Sequence, residues 1–134
     1  MPLSLAVVTP TQEALATVCD EVVVPGISGE MDFLPGHVAL ISALMPGVLT
    51  TIKDGRRSYY VVSSGFVEVD RDKVTVLCDA VEPAGSVDVE RARRALAAAE
   101  EKLKGLGPDD AGVGEAERRR ARAQARLDGK ALAG

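Results

Sequence analysis

Aromatic side chains are scarce in this chain: two Tyr, two Phe and no Trp make up 3% of 134 residues. A nucleic-acid reader that stacks bases on aromatic platforms needs more than that, and a net charge of −4 also points away from a polyanionic partner. Histidine occurs once, as His37, and cysteine twice, as Cys19 and Cys78. That set is too small and too dispersed for a zinc site of the usual kind or for a disulfide framework, so the two thiols read as reduced core residues. No apolar run approaches the roughly 20 residues of a membrane span. Met1-Pro2-Leu3-Ser4 lacks the basic start of a signal peptide, so the chain is expected in the cytosol. Neither a Gly-x-Ser-x-Gly elbow nor a phosphate-cradling Gly-rich loop ending in Lys-Ser/Thr occurs. Glu30 and Asp32 lie close to His37 in sequence, but a turn rich in Pro and Gly accounts for all three, and no catalytic site is expected. What is present, 46% hydrophobic and 27% charged residues, is ordinary for a folded domain, or a domain with an appendage.

The chain changes character near residue 86. Residues 1–86 hold 15 Val and 7 Ala, whereas residues 87–134 hold 3 Val and 12 Ala, a switch from strand to helix composition. Charge switches at the same place: 5 Lys/Arg against 11 Asp/Glu in the first part, 11 against 9 in the second. An acidic body therefore carries a mildly basic tail, and the expected domains are 1–86 and 87–134.

In the first part, Val-rich runs alternate with turn residues over Leu3–Thr9, Glu13–Val18, Glu21–Val24, Val38–Ala43, Val48–Lys53, Arg57–Val62, Phe66–Asp70 and Val74–Ala80. A spacing near ten residues predicts an antiparallel β-sandwich or barrel of eight to ten strands. Alternation is clearest in Phe66-Val67-Glu68-Val69-Asp70 and Lys73-Val74-Thr75-Val76, with Arg71-Asp72 between them as a tight hairpin. Pro25-Gly26, Pro35-Gly36, Pro46-Gly47 and Asp54-Gly55 punctuate the rest.

The second part predicts a helical hairpin. A first helix is capped by Ser86 or Asp88 and runs to about Lys104, before the breaker Gly105-Leu106-Gly107-Pro108. Val89, Ala92, Leu96, Ala99 and Leu103 place its apolar positions on one stripe. A second helix is expected over Glu115–Asp128, about 21 Å long at 1.5 Å per residue. Its apolar face, Ala116, Ala123 and Leu127, allows close approach but buries little area. Five arginines, Arg118, Arg119, Arg120, Arg122 and Arg126, lie behind its acidic start.

Two segments invite a functional reading. Ser28-Gly29-Glu30-Met31-Asp32-Phe33-Leu34-Pro35-Gly36-His37 is either a long corner between strands or a docking surface. At Glu82-Pro83-Ala84-Gly85-Ser86-Val87-Asp88-Val89-Glu90-Arg91-Ala92 the strands give way to helix. There Asp88 and Arg91 share a helix face, and they either pair with each other or hold a polar ligand together.

Five segments in order resemble one family: Val8-Thr9-Pro10; Gly29-Glu30 followed by Leu34-Pro35-Gly36-His37; Ser64-Gly65-Phe66-Val67-Glu68-Val69; Val74-Thr75-Val76-Leu77; and Val87-Asp88-x-x-Arg91-Ala92. With a strand-then-hairpin layout, they make nearly the whole chain resemble the epsilon subunit of bacterial rotary ATP synthases, whose mitochondrial counterpart is called delta. The resemblance implies a ten-stranded β-sandwich with two antiparallel C-terminal helices, acting as a non-catalytic rotor subunit. It implies a place in the central stalk, peripheral to the cytoplasmic face of the inner membrane. Implied partners are the gamma subunit, the c-ring and the alpha/beta catalytic head, with Glu30 and His37 in the region near ring and stalk.

The hairpin of that family folds back on the sandwich or opens into the head and blocks hydrolysis. The resemblance gives Arg118, Arg119, Arg120, Arg122 and Arg126 as the inhibitory contact, against a plain solvated face. No cofactor is required, but in some members ATP is a regulatory ligand. Here Glu82 and Asp88 would meet its adenine side and Arg91 its phosphates, so a nucleotide-sensing module is the alternative function. Departures are Ala98 where nucleotide-binding members carry a further Arg, Asp32 and Ser64 where Gly is common, and a short link and second helix. The shortness implies weaker inhibition.

Overall fold

A computed structural model describes residues 2–134. Ten strands precede two helices: β1 (Leu3–Val8), β2 (Glu13–Cys19), β3 (Glu21–Gly26), β4 (Gly29–Phe33), β5 (Leu40–Leu44), β6 (Gly47–Lys53), β7 (Arg56–Val62), β8 (Gly65–Asp70), β9 (Lys73–Cys78), β10 (Val81–Pro83), then α1 (Val89–Lys104) and α2 (Val113–Ala133). A single 3-10 turn, Ala84–Ser86, joins β10 to α1.

One layer runs β5-β8-β9-β1-β2, and the other is β4-β3-β6-β7-β10. They join where Gly26 at the end of β3 meets Leu44 of β5. Period-two alternation turns Leu3, Leu5, Val7, Val22, Val24, Val67, Val69, Val74 and Val76 inward, where Phe33, Leu44, Leu49 and Val62 complete the sandwich core. Cys19 and Cys78 are buried and free in that core, as their dispersal predicts, and burial pushes both thiols above their ordinary pKa. The hairpin at Arg71-Asp72 forms as read: both residues have positive φ, the backbone of a two-residue turn that suits the strand twist.

Three features depart from the sequence reading. First, the pairing is not wholly antiparallel, because β1 lies parallel to β9. A long stretch of chain separates those strands, so no hairpin constrains their direction. Second, Ser28–His37 is not a continuous loop: Gly29–Phe33 is strand β4, paired antiparallel with β3. Asp32 and Glu30 obscure its alternation, but only Phe33 of its five residues is fully buried, as expected for an edge strand.

Third, α2 runs Val113–Ala133, 21 residues or about 31 Å, not Glu115–Asp128. The helix continues past Asp128, and Gly129 inside it is a packing residue. A Cβ built on it would lie 2.8 Å from Val61 Cγ2 and 3.3 Å from the Ala84 Cβ. The length argument for weak inhibition thereby loses half its premise.

The hairpin is folded back. α2 lies across β6, β7 and the 3-10 turn, and α1 packs against α2. β7 consequently has two buried faces: Tyr60 and Val62 belong to the sandwich core, while Tyr59 and Val61 join Ala84, Val87, Ala92, Ala125 and Leu127 in a second, smaller one. The uninterrupted apolar run Tyr59-Tyr60-Val61-Val62 is what a strand covered on both sides looks like in sequence.

Candidate functional site

Where the two cores meet, the sandwich, the start of α1 and the middle of α2 enclose a cavity of about 480 Å³. Glu82, Arg91, Arg122 and Arg126 give it its charged wall, with Ser63 and Asp79 opposite on the sheet side. The site begins with β10, whose pairing with β7 sets Glu82 opposite Val61. Asp88 then ends the extended backbone and caps α1, its carboxylate accepting the Arg91 N–H at 3.1 Å. One turn of helix carries the Arg91 side chain to the cavity rim. α2 returns antiparallel, and its i, i+4 spacing places Arg122 and Arg126 on the same face.

Arg126 Nε donates to Glu82 Oε1 at 2.6 Å, with both side chains about 30% exposed. One turn on, Lys130 Nζ donates to the Gly85 carbonyl at 2.9 Å. A groove of about 370 Å³ continues between the helices. Its floor is Ala95, Ala98, Ala99, Ala116 and Ala123, and its rims carry Lys102 and Arg119 besides the three arginines of the cavity.

The geometry sorts the sequence-predicted residues into groups. Glu82 and Arg91 are brought together; Asp88 is adjacent but occupied as the helix cap. Ala98 is in the groove wall, where it contributes no charge, but Arg119, Arg122 and Arg126 approach from α2 and supply cations that a reading of α1 alone leaves out. The five arginines are not one patch. Arg122 and Arg126 face the cavity, Arg119 pairs with Glu115 at 2.7 Å on the groove rim, and Arg118 and Arg120 are exposed.

Glu30 and His37 are set apart by β4. Glu30 pairs with Pro25 beside the β3–β4 turn. His37 lies beyond the other end, edge-on to Phe33 with ring centroids 4.9 Å apart, its Nδ1 donating to the Val38 carbonyl at 2.7 Å. The neighbouring Gly36 N–H donates to Asp72 in the β8–β9 turn at 2.7 Å. The proposed docking segment is therefore two separate turns, with exposed Ile27 beside the first and exposed Leu34 and Val38 at the second.

A further surface escaped the reading. On the outer face of the β5-β8-β9-β1-β2 layer, Ala43, Phe66, Leu77 and Val8 lie in register across four strands. Phe66 is 57% exposed, Leu77 50% and nearby Ile41 72%. The four line an open groove with Thr9, Pro10 and Gly65. Gly65 admits no side chain, since a Cβ there would overlap the Leu77 carbonyl. The signal was in plain view: the alternation that sends Val67 and Val69 inward must send Phe66 outward. The rung is a contiguous apolar patch left exposed on an otherwise finished sheet.

A sandwich with one apolar outer face, carrying a back-folded hairpin with arginines at its seam, defines a two-part binding subunit. Residues 2–84 match the family model for the β-sandwich domain of the ATP synthase delta/epsilon chain, and residues 86–129 match that for its long α-helix domain. The ATP synthase epsilon chain of Myxococcus xanthus (strain DK1622) is 48% identical over 109 residues, 81% of this chain and 80% of that one. The epsilon chain of Anaeromyxobacter dehalogenans (strain 2CP-C) is 40% identical over 127 residues, 95% and 96% of the two chains. Among solved structures, a chain of the Euglena gracilis mitochondrial ATP synthase (OSCP/F1/c-ring, rotational state 1) superposes with a TM-score of 0.81 at 25% identity, covering 98% of this chain and 81% of that one. A chain of the Tetrahymena thermophila central stalk and c-ring shares the fold, with a TM-score of 0.69 at 14% identity and 97% coverage of both. The chain belongs to the ATP synthase delta/epsilon family.

Proposed function

We propose that this chain is the epsilon-type rotor subunit of a bacterial F-type ATP synthase, without an active site of its own. It is held in the central stalk at the cytoplasmic face of the inner membrane. In this reading residues 1–86 are the docking module. The apolar rung Val8, Leu77, Phe66 and Ala43 lies against the gamma subunit, and the turns bearing Glu30 and His37 face the c-ring and stalk. Residues 87–134 are the regulatory module, which opens toward the alpha/beta head and slows hydrolysis.

The observation that carries this reading is the mismatch between the two surfaces of the sandwich. One face offers a large exposed apolar rung that needs a permanent partner. The other is covered by an Ala-rich helix whose contacts are small enough to be exchanged. The deciding experiment measures ATP hydrolysis by a catalytic head assembled with the full chain or with residues 1–86. Slower turnover with the full chain, relieved by the truncation, supports the brake. Equal rates with both forms bound to gamma would leave the chain a coupling piece only.

A second reading, nucleotide sensing at the hairpin, is favoured by one observation: Arg91, Arg122 and Arg126 converge on a single cavity and Lys102 and Arg119 extend it. That row of cations suits a polyphosphate. Saturable ATP binding by the full chain, lost on Arg91→Ala, supports it; binding that survives that change, or none at all, removes it.

A further inference from the structure

We infer that the folded-back hairpin of this chain is closed by an internal latch that needs no ligand, made of a glycine notch in α2 and an ion pair one turn before it. The inference concerns closure alone and stands whatever the open hairpin does in an assembly.

The notch is Gly129. A glycine in a helix interior is destabilising relative to alanine, and α2 is otherwise rich in alanine, so its presence needs a reason. The reason is the approach of the helix to the sheet: Gly129 is buried, with Val61 Cγ2, the Ala84 Cβ and Val48 Cγ2 at 2.8, 3.3 and 3.5 Å from where a Cβ would stand. Val61 belongs to a β-branched side chain inside a paired strand, and Ala84 to the 3-10 turn, so neither yields easily.

Around the notch, two polar contacts tie the same turns of α2 to the same end of the sheet. Arg126 holds Glu82, and Lys130 holds the Gly85 carbonyl, so residues 126, 129 and 130 of α2 meet residues 82–85 at three points. Glu82 is thus already satisfied by a cation of the chain itself. The closed form thus has a carboxylate–guanidinium bond bridging sheet and helix at the edge of the cavity.

Hydrogen exchange on the full chain without nucleotide tests this, with peptides covering 121–131 as the readout and the sandwich strands β8 and β9 as an internal reference. The wild-type α2 amides are expected to be protected. Gly129→Ala separates the latch from plain helix propensity, because the two predict opposite signs. Propensity alone raises α2 protection, whereas a filled notch lowers it, by about tenfold for a contact worth about 1.4 kcal/mol. Adding Val61→Ala to Gly129→Ala makes room for the new methyl and is expected to restore part of the loss. Glu82→Gln is expected to lower α2 protection with β8 and β9 unchanged. Unprotected α2 in the wild type, a gain of protection in Gly129→Ala, or no loss in Glu82→Gln would each overturn the latch.

Discussion

Asp88 and Arg91 stand three residues apart, and the structure gives them different work. The Asp88 carboxylate accepts the Arg91 backbone N–H, which is the job of a helix cap, while the Arg91 side chain lines the cavity. A cap can be exchanged for another cap. Asp88→Ser is therefore expected to leave the thermal midpoint within about 1 °C, whereas Asp88→Ala costs about 1 kcal/mol and lowers it by about 3–5 °C, read by calorimetry. If Asp88→Ser instead abolishes ATP binding by a chain that otherwise binds it, the carboxylate has a ligand role as well. Sequence spacing left those two roles open, because a cap and a ligand-holding acid look the same until the backbone N–H that the acid accepts is known.

Glu21 offers a second test at this scale. It lies on β3 diagonally across from Asp32 on β4, and hydrogen bonding to the Asp32 carboxyl, open to Glu21 only in its protonated form, raises the Glu21 pKa above its ordinary value, desolvation and the Asp32 charge adding to the effect and Arg57 opposing it. A carboxyl whose folded pKa is raised binds its proton more tightly folded than unfolded, so it destabilises the fold above that pKa and ceases to do so below the unfolded value. Glu21→Gln should accordingly raise the midpoint at pH 7, by about 1–2 °C for one like-charge pair across strands, and the gain should vanish at pH 3. A gain that is the same at both pH values would exclude the carboxylate repulsion as its cause.

Among the elements, β8 and α2 were legible to different depths. The alternation in Phe66–Asp70 specified β8 and its inward valines, because the period-two pattern is a direct record of one buried face. The same pattern exposed Phe66, whose meaning only emerged when register aligned it with Leu77, Val8 and Ala43. Register between strands distant in sequence is set by tertiary packing, and no local pattern contains it. β4 was hidden for a related reason: an edge strand buries one residue in five here and reads as a loop. α2 was cut short at Gly129 because a glycine near a helix end usually terminates it, and the contact with Val61 that explains this one joins residues 68 positions apart.

The outward position of Phe66 yields a prediction for its strand. Since the side chain is more than half exposed, Phe66→Glu is expected to change stability by no more than about 0.5 kcal/mol. Binding to isolated gamma subunit, measured by titration calorimetry, should fall by a factor of ten or more, as about 1.4 kcal/mol of lost apolar contact implies. Undiminished binding would move the gamma contact off this face.

For the molecule as a whole, the two surfaces of the sandwich and the latch combine into one argument about regulation. If the outer rung is the docking face, it fixes the sandwich on the rotor, while the opposite face holds the hairpin through Gly129, Glu82–Arg126 and Lys130–Gly85. Any change that weakens only the second set leaves the subunit on the stalk and raises the open population. If the open hairpin is the brake, a head assembled with Gly129→Ala should hydrolyse ATP more slowly than one with the wild-type chain. Residues 1–86 alone should give the fastest turnover, because they have no hairpin to open. The order of the three rates carries the inference: truncated fastest, wild type between, Gly129→Ala slowest. A Gly129→Ala assembly that ran as fast as the truncated one, with gamma binding intact, would mean that undocking disables the hairpin, so that its folded-back form is itself the inhibitory one.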